Sequence, residues 1–283
     1  MAVGTKVPSG ERRPAVGVSI SCRSVSAGYL GTQVLRDISF TIDESAIYVV
    51  LGPDGAGKTT LFRTLPGILR PTPGEVYIGG ARTDRQESRS HLHYMSRVDG
   101  TPDDFWVREA LEFYARVERP TAADVERVLD LLDIRELSRH NLARLIAGQK
   151  KRVSTARNFL REQAIYLLDE PTSNLDPKVA REIRTVILEP SREKFVLYSS
   201  HNRFEVREVG RYALVIKDGR LARFDYIENL RGSRLPVGIR VHELSRPSRS
   251  SHGRGVIFFA NSRAPTRCRP FSATSNRTGR EDP

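Results

Sequence analysis

Cysteine is nearly missing from this 283-residue chain: Cys22 and Cys268 stand far apart and outside any C-x-x-C pattern. A disulfide framework or a structural zinc site is thereby excluded, and a reducing compartment is the expectation. Long apolar runs are missing too. AIYVVL (46–51) and VIFFA (256–260) are the best available, far short of the roughly 18 residues that cross a bilayer as a helix. The opening MAVGTKVPSGERRP has no apolar stretch to serve as a secretion signal. Any membrane role is therefore expected to come through a partner chain. The content of 39% hydrophobic and 28% charged residues fits a globular protein with one main domain.

Acidic residues are scarce at one end. Residues 231–283 hold eleven Arg, no Lys and three acids, so +8 of the net +12 sits there. This Arg-, Ser-, Gly- and Pro-rich tail is expected to be mostly disordered, as is a loose leader over residues 1–17. Arginines spaced singly make a poor binding patch, which argues against nucleic acid as a partner.

Between these ends the pattern is ordered. Val18 to Ile42 reads as short strands of an antiparallel layer, broken by Gly28, Gly31 and Asp37. IYVVL (47–51), AIYLL (164–168) and KFVLYS (194–199) are continuous apolar runs, as for strands covered on both faces. From about 104 to 160 the spacing turns helical. Val107, Ala110, Leu111, Tyr114 and Val117 share one face, as do Val125, Val128, Leu129 and Leu132, with Thr121 as N-cap and Asp124 completing a capping box. ALVIKDGRLARF reads as a hairpin turning at Asp218-Gly219. The fold class is α/β with a mostly parallel core sheet, an antiparallel layer on the N-terminal side, and a helical insertion over about 86–160.

Three stretches carry chemistry. GPDGAGKTT supplies Gly52, Pro53, Asp54, Gly55, Ala56, Gly57, Lys58, Thr59 and Thr60, matching G-x-x-x-x-G-K-[ST] between a predicted strand and helix. Glycines let successive N–H groups curl around phosphate oxygens. Lys58 would reach the β- and γ-phosphates, and Thr59 would offer its hydroxyl to Mg²⁺. IYLLDEP (165–171) ends an apolar strand in Asp169, suited to the Mg²⁺ shell, and Glu170, suited to polarising water. SSH (199–201) sets His201 at the end of another strand, where it could contact a γ-phosphate.

These parts, in this order, resemble the ATP-binding subunit of ABC transporters over roughly residues 18–230. The resemblance implies a P-loop NTPase fold, ATP and Mg²⁺, and a head-to-tail pair of such domains with each phosphate loop facing the partner's LSGGQ turn. It makes Tyr29 the aromatic that stacks on adenine, and Asp176 of SNLD (173–176) the acid of the loop joining the two sites. It makes the helical stretch near 104–160 the docking point for a separate membrane permease, the chain itself lying in the cytoplasm on the membrane's inner face. EALEFYARV and the short ending at KDGRLARF lean toward exporter-type subunits. A soluble non-transport ATPase of the same type, and a regulatory ATP-binding partner with little hydrolysis, stay open as alternatives.

Two departures stand out. LIAGQ (145–149) keeps Gly148 and Gln149 but has Ile146 and Ala147 where the pattern has Ser and Gly. The lost hydroxyl bond to a charged group is worth about 1.5–3 kcal/mol. HYMSRVD (93–99) places Arg97 where a Mg²⁺-contacting Gln is expected; arginine cannot bind a cation but could contact a phosphate or an acid. The weakened turn points to a heterodimer whose partner supplies an intact one.

Overall fold

The computed structural model describes residues 18–84, 92–97, 101–118, 121–188, 193–201 and 203–230. The leader and the tail lie outside them. Two sheets organise the domain. In the first, β1 (Ile20–Tyr29) pairs antiparallel with β2 (Thr32–Ile42) and with β4 (Glu75–Ile78), and β5 (Ala81–Arg82) adds to β4. This is the expected antiparallel layer. Cys22 is buried in it, and burial pushes its thiol far above the usual range, so it is chemically inert.

The second sheet has the order β10-β9-β3-β8-β7-β6. Its strands are β3 (Ile47–Leu51), β6 (Leu92–Met95), β7 (Ile165–Asp169), β8 (Phe195–Ser199), β9 (Tyr212–Lys217) and β10 (Arg220–Tyr226). All pairs are parallel except the β9–β10 hairpin. The three apolar runs are central because both faces are covered. Ile47, Val49 and Leu51 of β3 join the core under the helices, whereas Tyr48 and Val50 join the core under the antiparallel layer. Tyr166 and Leu168 against Ile165 and Leu167 repeat that division on β7.

Among the described residues six α-helices join the sheets: α1 (Lys58–Thr64), α2 (Val107–Glu118), α3 (Ala122–Leu131), α4 (Ala147–Asn158), α5 (Pro177–Leu188) and α6 (Arg203–Val209). The expected apolar faces are buried at Val107, Ala110, Leu111, Val125, Val128, Leu129 and Leu132. Val117 departs: it is exposed, because α2 runs past the core in its last turn. Asp124 accepts from the Thr121 N–H at 2.8 Å and from its hydroxyl at 2.7 Å, which holds the start of α3. Residues 92–95, read at the sequence level as part of the helical insertion, form the sheet-edge strand β6 beside β7. Leu92–Met95 is short and half-polar, so it carries no strand signal of its own; the pairing with β7 makes it one.

The β9–β10 turn places Asp218 at φ 49° and Gly219 at φ 75°, the backbone of a type I′ hairpin. A Cβ on Gly219 would stand 1.9 Å from the Val34 carbonyl oxygen, and the Gly219 carbonyl accepts from Arg36 N–H at 2.7 Å. Gly219→Ala therefore strains a left-handed backbone and pushes the hairpin off β2. A loss of about 2 kcal/mol or more is expected, read as a fall of about 4–8 °C in the thermal midpoint. An unchanged midpoint would show that the hairpin and β2 move apart freely.

Candidate functional site

The site begins with strand order. β8 lies between β3 and β7, and the three parallel strands end together, with Val50 opposite Ser199 and Ser199 opposite Asp169. Each strand's continuation therefore leaves at one carboxyl edge, where open α/β sheets bind ligands. From β3 the chain enters the loop Gly52 to Gly57 and turns into α1 at Lys58. Gly57 at φ 106° is the α1 N-cap; a side chain there would meet Leu35 at 2.8 Å. The Lys58 ammonium is buried and donates to the carbonyls of Gly52 at 2.8 Å and Pro53 at 3.1 Å. It is thereby held across the loop, with exposed Asp54 at 3.9 Å. Thr59 and Thr60 follow in the first turn of α1.

From β7, Asp169 arrives fully buried. Its Oδ1 accepts from Ser199 Oγ at 2.7 Å, and the same Ser199 Oγ accepts from the Glu170 N–H at 2.8 Å. Asp169 Oδ2 is buried with no hydrogen-bond partner among the described residues. Burial raises the Asp169 carboxyl above the usual carboxylate range, opposed by the Ser199 and Thr59 hydroxyls. A buried carboxylate oxygen without a protein donor, near a hydroxyl at the head of a phosphate loop, fits a hard cation. Asp169 and Thr59 are the residues here that could hold such a cation.

Glu170 is also buried and takes a left-handed backbone, φ 47°. Its Oε1 lies 3.5 Å from His201 Nδ1, and its Oε2 lies 3.4 Å from Arg97 Nε. Acceptor atoms of Asp54, Glu170 and His201 all fall within 4.8 Å of one another. Phosphate loop, acidic strand end and histidine therefore converge as anticipated. Arg97 contacts Glu170 of its own chain. Tyr29 ends β1, exposed, with its hydroxyl accepting from Arg63 Nη1 at 3.3 Å.

The LIAGQ stretch (145–149) makes local contacts at the start of α4 and against α5. Ile146, 70% exposed, precedes α4 and offers no side-chain acceptor to the helix start. Gln149 Oε1 accepts from the Ile146 N–H at 3.1 Å, and the Cα of Gly148 faces the Val179 methyls of α5. The basic continuation has structural partners: Lys150 pairs with Asp103 at 2.7 Å and Arg152 with Glu182 of α5. Asp176 is exposed and caps α5 by accepting from Lys178 N–H at 2.9 Å.

The family model described as ABC transporter matches residues 35–173. A curated relative, the Nod factor export ATP-binding protein I of Rhizobium johnstonii, is 33% identical over 223 residues, covering 75% of this chain and 70% of that protein. The chain belongs to the ABC transporter ATP-binding family. It is an ATPase of the ABC type. The sn-glycerol-3-phosphate import ATP-binding protein UgpC of Cereibacter sphaeroides matches at 31% over 207 residues, covering 71% of this chain and 59% of that protein. Relatives named for export and for import thus match to a similar degree, and the exporter-like ending at the hairpin is no mark of direction. Among solved structures, an ATP-binding subunit of an ABC transporter superposes with a TM-score of 0.70 at 23% identity, over 80% of this chain and 97% of that one, which shows the fold. Among the described residues no helix is long and apolar enough to cross a membrane.

Sequence reasoning missed Ser199. It was legible only as the small polar end of an apolar strand, and its role came from lying opposite Asp169 in the sheet. The Asp169 environment also yields a sign. A carboxyl whose folded value is raised binds its proton more tightly folded than unfolded, so stability falls as pH climbs from 3.8 through the folded value. Asp169→Asn in the metal-free protein is expected to raise the thermal midpoint at neutral pH and flatten its fall between acid and neutral pH. It should also lose the Mg²⁺-dependent part of the stabilisation by ATP. Scanning fluorimetry with chelator, and then with Mg²⁺ and ATP, reads both; a lower midpoint in chelator contradicts the assignment.

Proposed function

We propose that this chain binds Mg²⁺·ATP between its own phosphate loop and the signature turn of a second ATP-binding subunit, and drives a separate membrane permease. The observation that carries the reading is the convergence of Lys58, Asp169, Glu170 and His201 at one sheet edge. In this reading the exposed turn of residues 145–149 serves a second subunit's nucleotide, and that subunit's turn serves this one. In this reading Lys58 and the loop amides hold the β- and γ-phosphates, Tyr29 stacks on the base, and Thr59 and Asp169 hold Mg²⁺. Bound Mg²⁺ draws charge from the phosphate oxygens. Glu170 takes the proton of an attacking water, and His201 holds both that carboxylate and the γ-phosphate. Arg97, at 3.4 Å from Glu170, steers the same carboxylate and adds positive charge where the phosphate oxygens gather. Gly148, Gln149 and Asp176 serve the partner's site.

The permease reading is supported by the start of α2. Trp106 and Phe113 are half-exposed there, and Phe113 packs on Phe105 with ring centroids 5.7 Å apart. An aromatic rim of this kind suits a partner helix. The permease would hold the chain on the inner face of the cell membrane.

Lys58→Ala should abolish saturable Mg²⁺·ATP binding, whereas Glu170→Gln should bind ATP as the parent does and lose hydrolysis by about 100-fold or more. Equilibrium binding of labelled nucleotide and a phosphate-release assay decide this; parental turnover in Glu170→Gln ends the proposed role of Glu170.

The exposed Ile146 supports a heterodimer, because an isoleucine there leaves the partner's γ-phosphate one hydroxyl short. With its partner subunit present, Ile146→Ser should raise total ATP turnover, by up to about tenfold. Brisk turnover by this chain alone, unaltered in Ile146→Ser, points instead to a self-sufficient homodimer.

A further inference from the structure

Beyond the residues that face nucleotide, one buried carboxylate is surrounded by four donors from three segments. Glu205 of α6 is buried. Its Oε1 accepts from Thr172 Oγ1 at 2.9 Å and from Arg184 Nη1 at 3.1 Å; its Oε2 accepts from Ser200 Oγ at 2.7 Å and from Tyr198 Oη at 3.1 Å. Thr172 Oγ1 and Tyr198 Oη lie 2.8 Å apart, a contact that takes a proton only when one of the two hydroxyls turns away from Glu205. Burial, with the Glu205 charge second, raises the Tyr198 phenol far above its usual range, so it stays a donor. Each partner adjoins a group of the site. Thr172 is two residues past Glu170, Ser200 precedes His201, and Arg184 lies on α5, which Asp176 caps. A cavity of about 440 Å³ is lined by Glu170, Ser173, Ser200 and His201 together with Arg184 and Glu205, so the network forms the floor beneath the site.

We propose that Glu205 is a positioning residue: its carboxylate locks the turn after Glu170, the His201 segment and α5 into one unit, so that Glu170 and His201 keep a fixed separation. The proposal rests on the roles given to those two residues above. The chemistry leaves little substitute. Both oxygens already accept from two donors each, so an amide would aim N–H at two donors and lose the charge that the guanidinium and hydroxyls share. Lys58 and the phosphate loop take no part in these bonds, so nucleotide binding and catalysis are expected to separate.

The test is Glu205→Gln in the full chain, with its partner subunit where turnover needs one. The kcat is expected to fall about 10- to 100-fold, with KM for ATP within about twofold of the parent. Hydrogen exchange should quicken together in residues 172–176 and 199–201 and stay unchanged in α1. Ser200→Ala, a smaller change, should move both readouts in the same direction, and carries the test if Glu205→Gln does not fold. Parental kcat in a folded variant, or faster exchange confined to residues 203–209, overturns the proposal. A parent that binds no nucleotide sinks the functional reading instead, and the exchange pattern then decides the clamp by itself.

Discussion

The hydroxyl of Ser199 is the joint on which the site turns. It donates to Asp169 and accepts from the Glu170 backbone, so one rotor fixes a buried carboxylate and the peptide that follows it. That is possible only because β8 lies between β3 and β7 in register, which brings residue 199 beside residue 169 at the edge where the phosphate loop begins. The Glu170 N–H is buried with its residue, and an orphaned buried donor would cost about 1–3 kcal/mol. Meeting that need with a side chain from the neighbouring strand couples the phosphate-loop half of the sheet to the acidic half.

How much of this was legible beforehand depended on how local the determinants were. The phosphate loop, Asp169-Glu170 and the Asp218-Gly219 hairpin are contiguous stretches whose chemistry needs no distant partner, and they were read directly. The apolar faces of α2 and α3 were read from period alone. Leu92–Met95 was not recognisable as a strand, because its polar His93 and lone interior Met95 match neither template; β7 supplies its hydrogen bonds. Ser199 and Glu205 were beyond reach for the same reason: each acts through partners about 5 to 33 residues away, and a serine or glutamate on its own carries no spacing signal.

The two departures from the family pattern fall on opposite sides of the molecule's chemistry. Arg97 reaches this chain's own Glu170, whereas Ile146 stands exposed at the start of α4. An arginine beside the buried Glu170 carboxylate adds a cation where a glutamine would be neutral. The same charge that restrains Glu170 is available to phosphate oxygens when they enter. Under the proposed pairing of two subunits, Ile146 bears on the neighbour's nucleotide and Arg97 on this chain's own.

Strain completes the argument. Glu170 and Asn174 both hold left-handed backbones, at φ 47° and 59°, on either side of the turn through Pro171, Thr172 and Ser173. A non-glycine residue in that region costs on the order of 1–3 kcal/mol and persists only where surrounding bonds over-determine it. Here the bonds are identifiable: Ser199 to the Glu170 N–H, Glu170 carbonyl to the Ser173 N–H at 3.1 Å, and Glu205 to Thr172. The turn is held from the strand on one side and from α6 on the other. Glu170 is consequently aimed by backbone geometry, with His201 and Arg97 acting only on its last two oxygen atoms, and its direction survives the loss of either contact better than the loss of the turn beneath it.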